Sequence, residues 1–299
     1  MIYDLIIVGL GAAGMNAALY AKRSGLNILV FEGEVPGGLI NKTDKIENFP
    51  GYVSISGPDL ASNLFIQFNA LGIPVKYEKV ETIELDGNIK LVKTKKDIYK
   101  SKSIIIASGR KAKKLGVEGE EDLIGRGVSY CHLCDGNLYK NKITAVIGGG
   151  NSAVSGTLYL SNICEKVYLV VRKDYLRADK VYQDELLKKD NVEIFYDTVV
   201  EKIVEKDGVI NKIFTNNGEL LINGLFINIG YEPVNDFYKN LNITDETGFI
   251  KVDKNMKTNI DGVFAAGDIV KKDVYQIITA QSEGAIAAIS AYEYLNYKK

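Results

Sequence analysis

Two stretches of this chain repeat one design, a mainly apolar run that stops in glycines and opens into a helix-compatible segment. They are Tyr3-Asp-Leu-Ile-Ile-Val-Gly-Leu-Gly-Ala-Ala-Gly14 and Ile143-Thr-Ala-Val-Ile-Gly-Gly-Gly-Asn-Ser-Ala153. Apolar runs without alternation suit strands buried on both faces, as in parallel sheets covered by helices. The first continues as a helix from Met15 to Ser24, with Met15, Ala18 and Leu19 on one stripe and Gly25 as its stop, then as a strand from Asn27 to Phe31 that ends in Glu32. The second continues as a helix to about Cys164 and a strand from Val167 to Val171. The spacing agrees within one residue: 23 from Gly9 to Glu32 and 24 from Gly148 to Arg172. Such a chain has to build two α/β domains.

Each unit is followed by short strands separated by turn signals, Leu85-Asp-Gly-Asn in one half and Lys206-Asp-Gly and Asn216-Asn-Gly in the other. Each half then returns to a buried strand, Ser103 to Ala107 and Gly224 to Ile229, so a β-meander is expected in both. The last segment, Val263-Phe-Ala-Ala-Gly-Asp268 and a helix from about Gln276 to Tyr294, has no counterpart in the second half and is assigned back to the first domain. The expected domains are residues 1–112 with 246–299, and 113–245. Hinges are expected near Lys111–Gly116 and Asn240–Gly248.

Composition narrows the function. The formal net charge is -1 and 46% of the residues are hydrophobic, which suits packed domains and argues against coating nucleic acid or an anionic membrane. The longest apolar stretches fall far short of the ~18 residues of a membrane span, and the start lacks the basic region of a secretory signal. Three cysteines make no disulfide scaffold and point to a reducing, cytoplasmic compartment. With one histidine and one further cysteine, Cys164, the Cys-x-x-Cys pair lacks the remaining ligands of a zinc site, so no metal is expected.

Gly9, Gly11 and Gly14 form GxGxxG between strand and helix, where the main chain approaches a pyrophosphate closely, and Glu32 suits an adenosine ribose hydroxyl. Gly148, Gly150 and Ala153 repeat the turn, but the strand after them ends in Arg172-Lys-Asp-Tyr-Leu-Arg177 instead of an acid. Only five of the 37 basic side chains are arginines and two stand here, so the cluster fits a 2′-phosphate, favouring NADP over NAD. Cys131-His-Leu-Cys-Asp135 is a candidate redox pair, with Arg126 or His132 as a cation able to lower a thiol pKa and Asp135 as a proton donor. Cys164, beside Ile163, reads as a core residue.

Together these motifs resemble the low-molecular-weight thioredoxin reductases of the pyridine nucleotide disulfide oxidoreductase class, nearly end to end. Glu32-Gly-Glu-Val-Pro-Gly-Gly38 and Glu47-Asn-Phe-Pro-Gly51 resemble the flavin-contacting loops, and Gly125-Arg-Gly-Val-Ser-Tyr-Cys-x-x-Cys-Asp135 the redox segment. Gly148 to Ala153 resemble the NADPH fingerprint and Ala265-Ala-Gly-Asp268 the second FAD motif. The resemblance implies two Rossmann-like dinucleotide-binding domains, each with a β-meander insertion. FAD would be held through Gly9, Gly11, Ala13, Gly14, Glu32, Gly38, Asn48, Gly109, Asp268 and Gln276, and NADPH through Gly148, Gly150, Asn151, Ser152, Ala153, Arg172, Lys173 and Arg177. It further implies that reduced flavin delivers electrons through Cys134, that Cys131 attacks the disulfide of thioredoxin or a thioredoxin-like protein, that Asp135 protonates the departing thiolate, that a rotation occurs between domains, and that the enzyme is a homodimer.

Departures from the family pattern are Val171 for His, Tyr275 for Arg, His-Leu inside the redox pair, and Gly156, which costs a helix about 1 kcal/mol relative to Ala. They leave two alternatives, a flavin thioredoxin reductase fed by ferredoxin and an FAD-dependent dithiol oxidase.

Overall fold

The computed structural model describes residues 1–43 and 45–297. It divides into two compact units, residues 1–111 with 232 onward, and 112–231.

In the first unit β1 (Ile2–Val8) leads into α1 (Ala12–Arg23) and β2 (Ile28–Phe31). After α2 (Gly57–Asn69) and β3 (Val75–Lys76) comes the expected meander of β4 (Val80–Asp86), β5 (Ile89–Thr94) and β6 (Ile98–Ile106). The strand order is β3-β2-β1-β6-β5-β4. β1 pairs in parallel with both β2 and β6, which explains its continuous apolar run. Leu5 and Ile7 belong to the core shared with α1, whereas Ile6 and Val8 belong to the core on the opposite face.

The second unit holds β7 (Val128–Ser129), α3 (His132–Asp135), β8 (Ile143–Ile147), α4 (Asn151–Ser161), β9 (Lys166–Val170), α5 (Lys180–Leu186) and β10 (Val192–Phe195). A three-stranded meander of β11 (Val200–Lys206), β12 (Val209–Thr215) and β13 (Gly218–Leu221) precedes β14 (Gly224–Ile227). The parallel sheet runs β7-β14-β8-β9-β10. Asp207 and Gly208 both have positive φ, 55° and 80°, as a two-residue hairpin turn of the Asp-Gly type requires.

The chain ends in the first unit. There β15 (Val263–Ala265) adds in parallel to β6, and α6 (Ile277–Tyr297) lies on α1 through small residues. A Cβ on Gly284 would collide with the Ala13 carbonyl, so the two helices meet main chain to main chain.

The second crossing between units falls at 231/232, not at 245/246. Phe237, Tyr238, Leu241 and Ile243 are buried in the first unit's core beside Val80 and Ile83, and the main chain of Phe237 accepts from Ile83 N at 2.9 Å. Four apolar side chains in seven residues give this segment a core to join, so it belongs to the first unit and not to the second, to which the sequence assigns residues up to 245.

Candidate active site: a disulfide and two glycine turns

The first glycine turn converges as its motif predicts. A Cβ on Gly14 would collide with the Gly9 carbonyl, and one on Gly9 with the Ala107 carbonyl, so β1, α1 and the end of β6 meet with no room for side chains. Gly11, which caps α1 without a side-chain hydrogen bond, faces open space, and the first turn of α1 carries no acid. Gly38 approaches Gly11, to 3.7 Å from its Cα for an ideal Cβ, and Gly37 N donates to the Leu10 carbonyl at 2.8 Å. An open helix N-terminus lined by glycines fits the pyrophosphate of a dinucleotide.

Glu32 is 9% exposed. Its carboxylate accepts from Leu10 N at 2.7 Å and Glu34 N at 2.8 Å, and burial pushes its pKa up against these donors. Ala13 serves packing: a Cβ on Gly267 would lie 2.8 Å from its own, which holds the loop carrying Asp268 against α1. Gly109, with φ of 66°, accepts from Val234 N. Asn48 and Gln276 join each other by a 3.1 Å hydrogen bond across 228 positions of sequence.

Asp268 takes a partner that the motifs do not announce. Arg110 donates to its Oδ2 from Nη2 at 2.7 Å and lies over the Tyr275 ring, 4.2 Å from the centroid. Where the family pattern has arginine at position 275, this chain therefore brings a guanidinium to that residue from position 110. Lys272 and Glu283 complete the group, Glu283 accepting from Lys272 Nζ at 2.7 Å and Gly267 N at 2.8 Å. The scarcity of arginine that singles out Arg172 and Arg177 would also have flagged Arg110.

The second turn repeats the first. Gly148 has φ of 137°, and a Cβ there would collide with the Asn228 carbonyl and lie 2.9 Å from that of Ala153, so Ala153 packs the turn. Gly150 caps α4 with open space beside it, no side-chain cap and no acid in the first turn, which again fits an anionic group. Asn151 is tied to Asp179 in both directions, at 3.0 and 2.7 Å, and Ser152 is exposed at the helix start. Arg172, Lys173 and Arg177 are exposed, and Arg177 N donates to the Gly149 carbonyl at 2.6 Å, so the basic loop is anchored to the glycine turn. Val171, by contrast, is 3% exposed and packs 2.9 Å from the Cβ position of Gly149.

Cys131 and Cys134 are joined as a disulfide, with Cα atoms 5.3 Å apart. Cys131 caps α3 and is 9% exposed, whereas Cys134 is exposed. Cys134 N donates to the Cys131 sulfur at 3.2 Å. Ser129 Oγ accepts from Cys131 N at 3.0 Å and donates to Asp135 Oδ2 at 2.7 Å, so one hydroxyl ties Asp135 to the cysteine main chain. Upstream, the Tyr130 hydroxyl donates at 2.6 Å to Glu120, a 1%-exposed residue whose carboxylate also accepts from Leu115 N and Gly116 N. Arg126 spends its guanidinium on the Asp122 main-chain carbonyl. Cys164 is a buried free thiol whose pKa desolvation raises, as its core reading predicts. Among the described residues no cluster of three His, Cys, Asp or Glu is placed to hold a metal, and no helix is long and apolar enough to cross a membrane.

The model of the pyridine nucleotide-disulphide oxidoreductase family matches residues 3–284. A 34.2 kDa protein in the rubredoxin operon of Clostridium pasteurianum is 42% identical over 99% of this chain and 98% of its own length. A thioredoxin reductase of Listeria monocytogenes is 40% identical over 100% of this chain and 95% of its own. Among solved structures, Lactococcus lactis thioredoxin reductase superposes with a TM-score of 0.91 at 42% identity, covering 98% of this chain and 99% of the other. A ferredoxin-flavin thioredoxin reductase of Clostridium acetobutylicum superposes with a TM-score of 0.56 at 33% identity, with 99% of each chain covered. With both Rossmann-type units and the disulfide in place, the chain belongs to the pyridine nucleotide-disulphide oxidoreductase family and, within it, to the low-molecular-weight thioredoxin reductases.

Proposed function

We propose that this chain is an FAD-dependent thioredoxin-disulfide reductase that takes its electrons from NADPH. The observation that carries the reading is the Cys131–Cys134 disulfide, formed in a unit that also presents an open glycine turn and an exposed Arg172, Lys173 and Arg177 cluster. When bound, FAD supplies a two-electron carrier between a nicotinamide and a dithiol. The first turn of α1 would hold its pyrophosphate, Glu32 would accept from a ribose hydroxyl, and Gly38, Gly109, Asp268, Asn48 and Gln276 would line the rest of the site. Asn151, Ser152 and the N-terminal end of α4 would hold the pyrophosphate of NADPH, and the basic cluster its 2′-phosphate.

In the dithiol state, one thiolate attacks the partner disulfide, a mixed disulfide forms, and the second cysteine displaces the reduced partner while closing the Cys131–Cys134 bond. Two electrons and two protons leave the pair, and Asp135 is placed beside it to give a proton to the departing thiolate. We assign the attack on thioredoxin to Cys131 and the exchange with flavin to Cys134. The reading includes a cytoplasmic homodimer.

Anaerobic titration of the flavin-loaded protein with NADPH tests the donor. Bleaching of the oxidised flavin by NADPH, complete only at about two equivalents because the Cys131–Cys134 disulfide takes up the first electron pair, followed by reduction of added thioredoxin, is the expected result. No bleaching by NADPH, together with reduction by ferredoxin, would transfer the chain to the ferredoxin-fed reading. Peroxide formed in proportion to a consumed small dithiol would indicate a dithiol oxidase. Trapping assigns the cysteines: Cys134→Ser should hold thioredoxin on Cys131, and a stable adduct on Cys134 in the Cys131→Ser protein alone would reverse the assignment.

A further inference from the structure

Two departures from the family pattern, His132 inside the redox pair and Gly156 inside α4, are opposite sides of one contact. A Cβ on Gly156 would lie 2.8 Å from Nδ1 and 3.2 Å from Cε1 of His132, and 3.1 Å from Nδ2 of Asn228. Those distances are shorter than ordinary van der Waals contact, so the imidazole occupies the space that any other residue at 156 would fill. Glycine in a helix interior costs about 1 kcal/mol relative to alanine, and here that cost makes room for a ring.

The seat is one of three. A Cβ on Gly136, immediately after α3, would lie 2.9 Å from Cε1 of Tyr159 and 3.1 Å from Cδ2 of Leu160, both on α4. A Cβ on Gly224, at the start of β14, would lie 2.6 Å from Cε1 of Tyr139. His132 and Tyr159 are themselves ring neighbours, with centroids 5.8 Å apart. The segment from Cys131 to Tyr139 is thus keyed into α4 and β14 by rings set against glycines, one of them belonging to the residue that directly follows Cys131. Asn228, which shares the His132 seat, is also the residue whose carbonyl closes on Gly148, so the seat and the second glycine turn share a wall.

We propose that His132 is a positioning residue for the redox disulfide: its ring, received by Gly156, holds α3 where the Cys131–Cys134 bond closes. The proposal rests on the reading of these cysteines as the redox pair. A methyl group at 156 pushes the ring, and the ring passes the push to Cys131. The oxidised turn is cross-linked and yields little, whereas the dithiol relaxes, so the push favours reduction.

The test equilibrates the full-length, flavin-loaded protein in graded dithiothreitol buffers and counts alkylated Cys131 and Cys134 by mass. Gly156→Ala is expected to move the equilibrium about tenfold toward dithiol, which is ~30 mV for two electrons. Adding His132→Ala removes the ring and is expected to bring the double variant within about threefold of His132→Ala alone. A Gly156→Ala protein that equilibrates as the wild type does, or a shift of equal size in the His132→Ala background, overturns the proposal. If Gly156→Ala does not fold, folding of the double variant supports the seat and its failure overturns it. A pair that stays unreducible in every variant, wild type included, would remove the redox reading itself.

Discussion

Arg110 donates to Oδ2 of Asp268 through two nitrogens, Nη2 at 2.7 Å and Nε at 3.2 Å, with both side chains about four-fifths buried. Lys272 Nζ is 3.8 Å from the other carboxylate oxygen, too far to replace this fork. In Arg110→Ala the carboxylate loses its charge-assisted donors, and a loss of about 1–3 kcal/mol of stability is expected. FAD should dissociate faster, because the loop bearing Asp268 is held by the same pair. Lysine at 110 keeps the charge and lacks the planar fork, so it should restore only part. Urea unfolding and the rate of flavin release on dilution check this; variants that unfold and release flavin as the wild type does would show the pair to be dispensable.

Glu32 gives a pH dependence of defined sign. Burial raises its carboxyl above the ordinary value of 4.5, so the folded chain holds the proton more tightly than the unfolded one. Its contribution to stability is therefore largest below that value and is lost as pH rises through the folded pKa. Glu32→Gln is neutral throughout. In flavin-free protein the wild type should lose stability relative to Glu32→Gln as pH is raised from about 4 to about 7. Urea midpoints across that range decide it, and a constant difference would mean that the carboxyl titrates as it does in water.

Glu120 is the most buried acid in the redox unit, and its two oxygens accept from Leu115 N at 2.9 Å, Gly116 N at 2.6 Å and the Tyr130 hydroxyl at 2.6 Å. Removing it strands three donors. Glu120→Ala is expected to cost about 3 kcal/mol and to loosen the segment that leads into Cys131. Hydrogen exchange at Leu115, Gly116 and Tyr130 reads the local effect; unchanged protection there would contradict it.

Much of this architecture is legible in the sequence because the deciding physics is local. The runs at Leu5–Val8 and Ala145–Ile147 are apolar on both faces since both faces are covered, and Asp207-Gly208 turns where only positive φ closes the hairpin. What escapes such reading depends on partners distant in sequence. Phe237 to Ile243 look like part of the second domain until Val80 and Ile83 are brought to them. Arg110 and Asp268 stand 158 positions apart. The side chain of Val171 has no direction in the sequence until β9 and Gly149 give it one, and that direction is into the core. Gly156 reads as a helix defect for the same reason, since the ring that needs it belongs to His132.

With Val171 in the core, the discrimination between nucleotides that we propose rests on the exposed basic residues. Arg177 has the firmest place among them, its main chain being pinned to Gly149 O, whereas Lys173 Nζ already donates to the Tyr175 hydroxyl at 2.8 Å. A guanidinium on a 2′-phosphate contributes about 1.5–3 kcal/mol, equivalent to roughly tenfold to a hundredfold in affinity. Arg177→Ala is therefore expected to weaken NADP+ binding by that factor and NAD+ binding by less than about threefold, since NAD+ offers only hydroxyls there. The proposed preference for NADP+ should also shrink as salt is raised, because these charges are exposed and screened. Calorimetric titration of both nucleotides into both proteins at low and high salt measures all of these quantities. Equal losses for NADP+ and NAD+ would mean that Arg177 supports the shape of the loop without reading the phosphate, and would leave Arg172 as the residue to vary next.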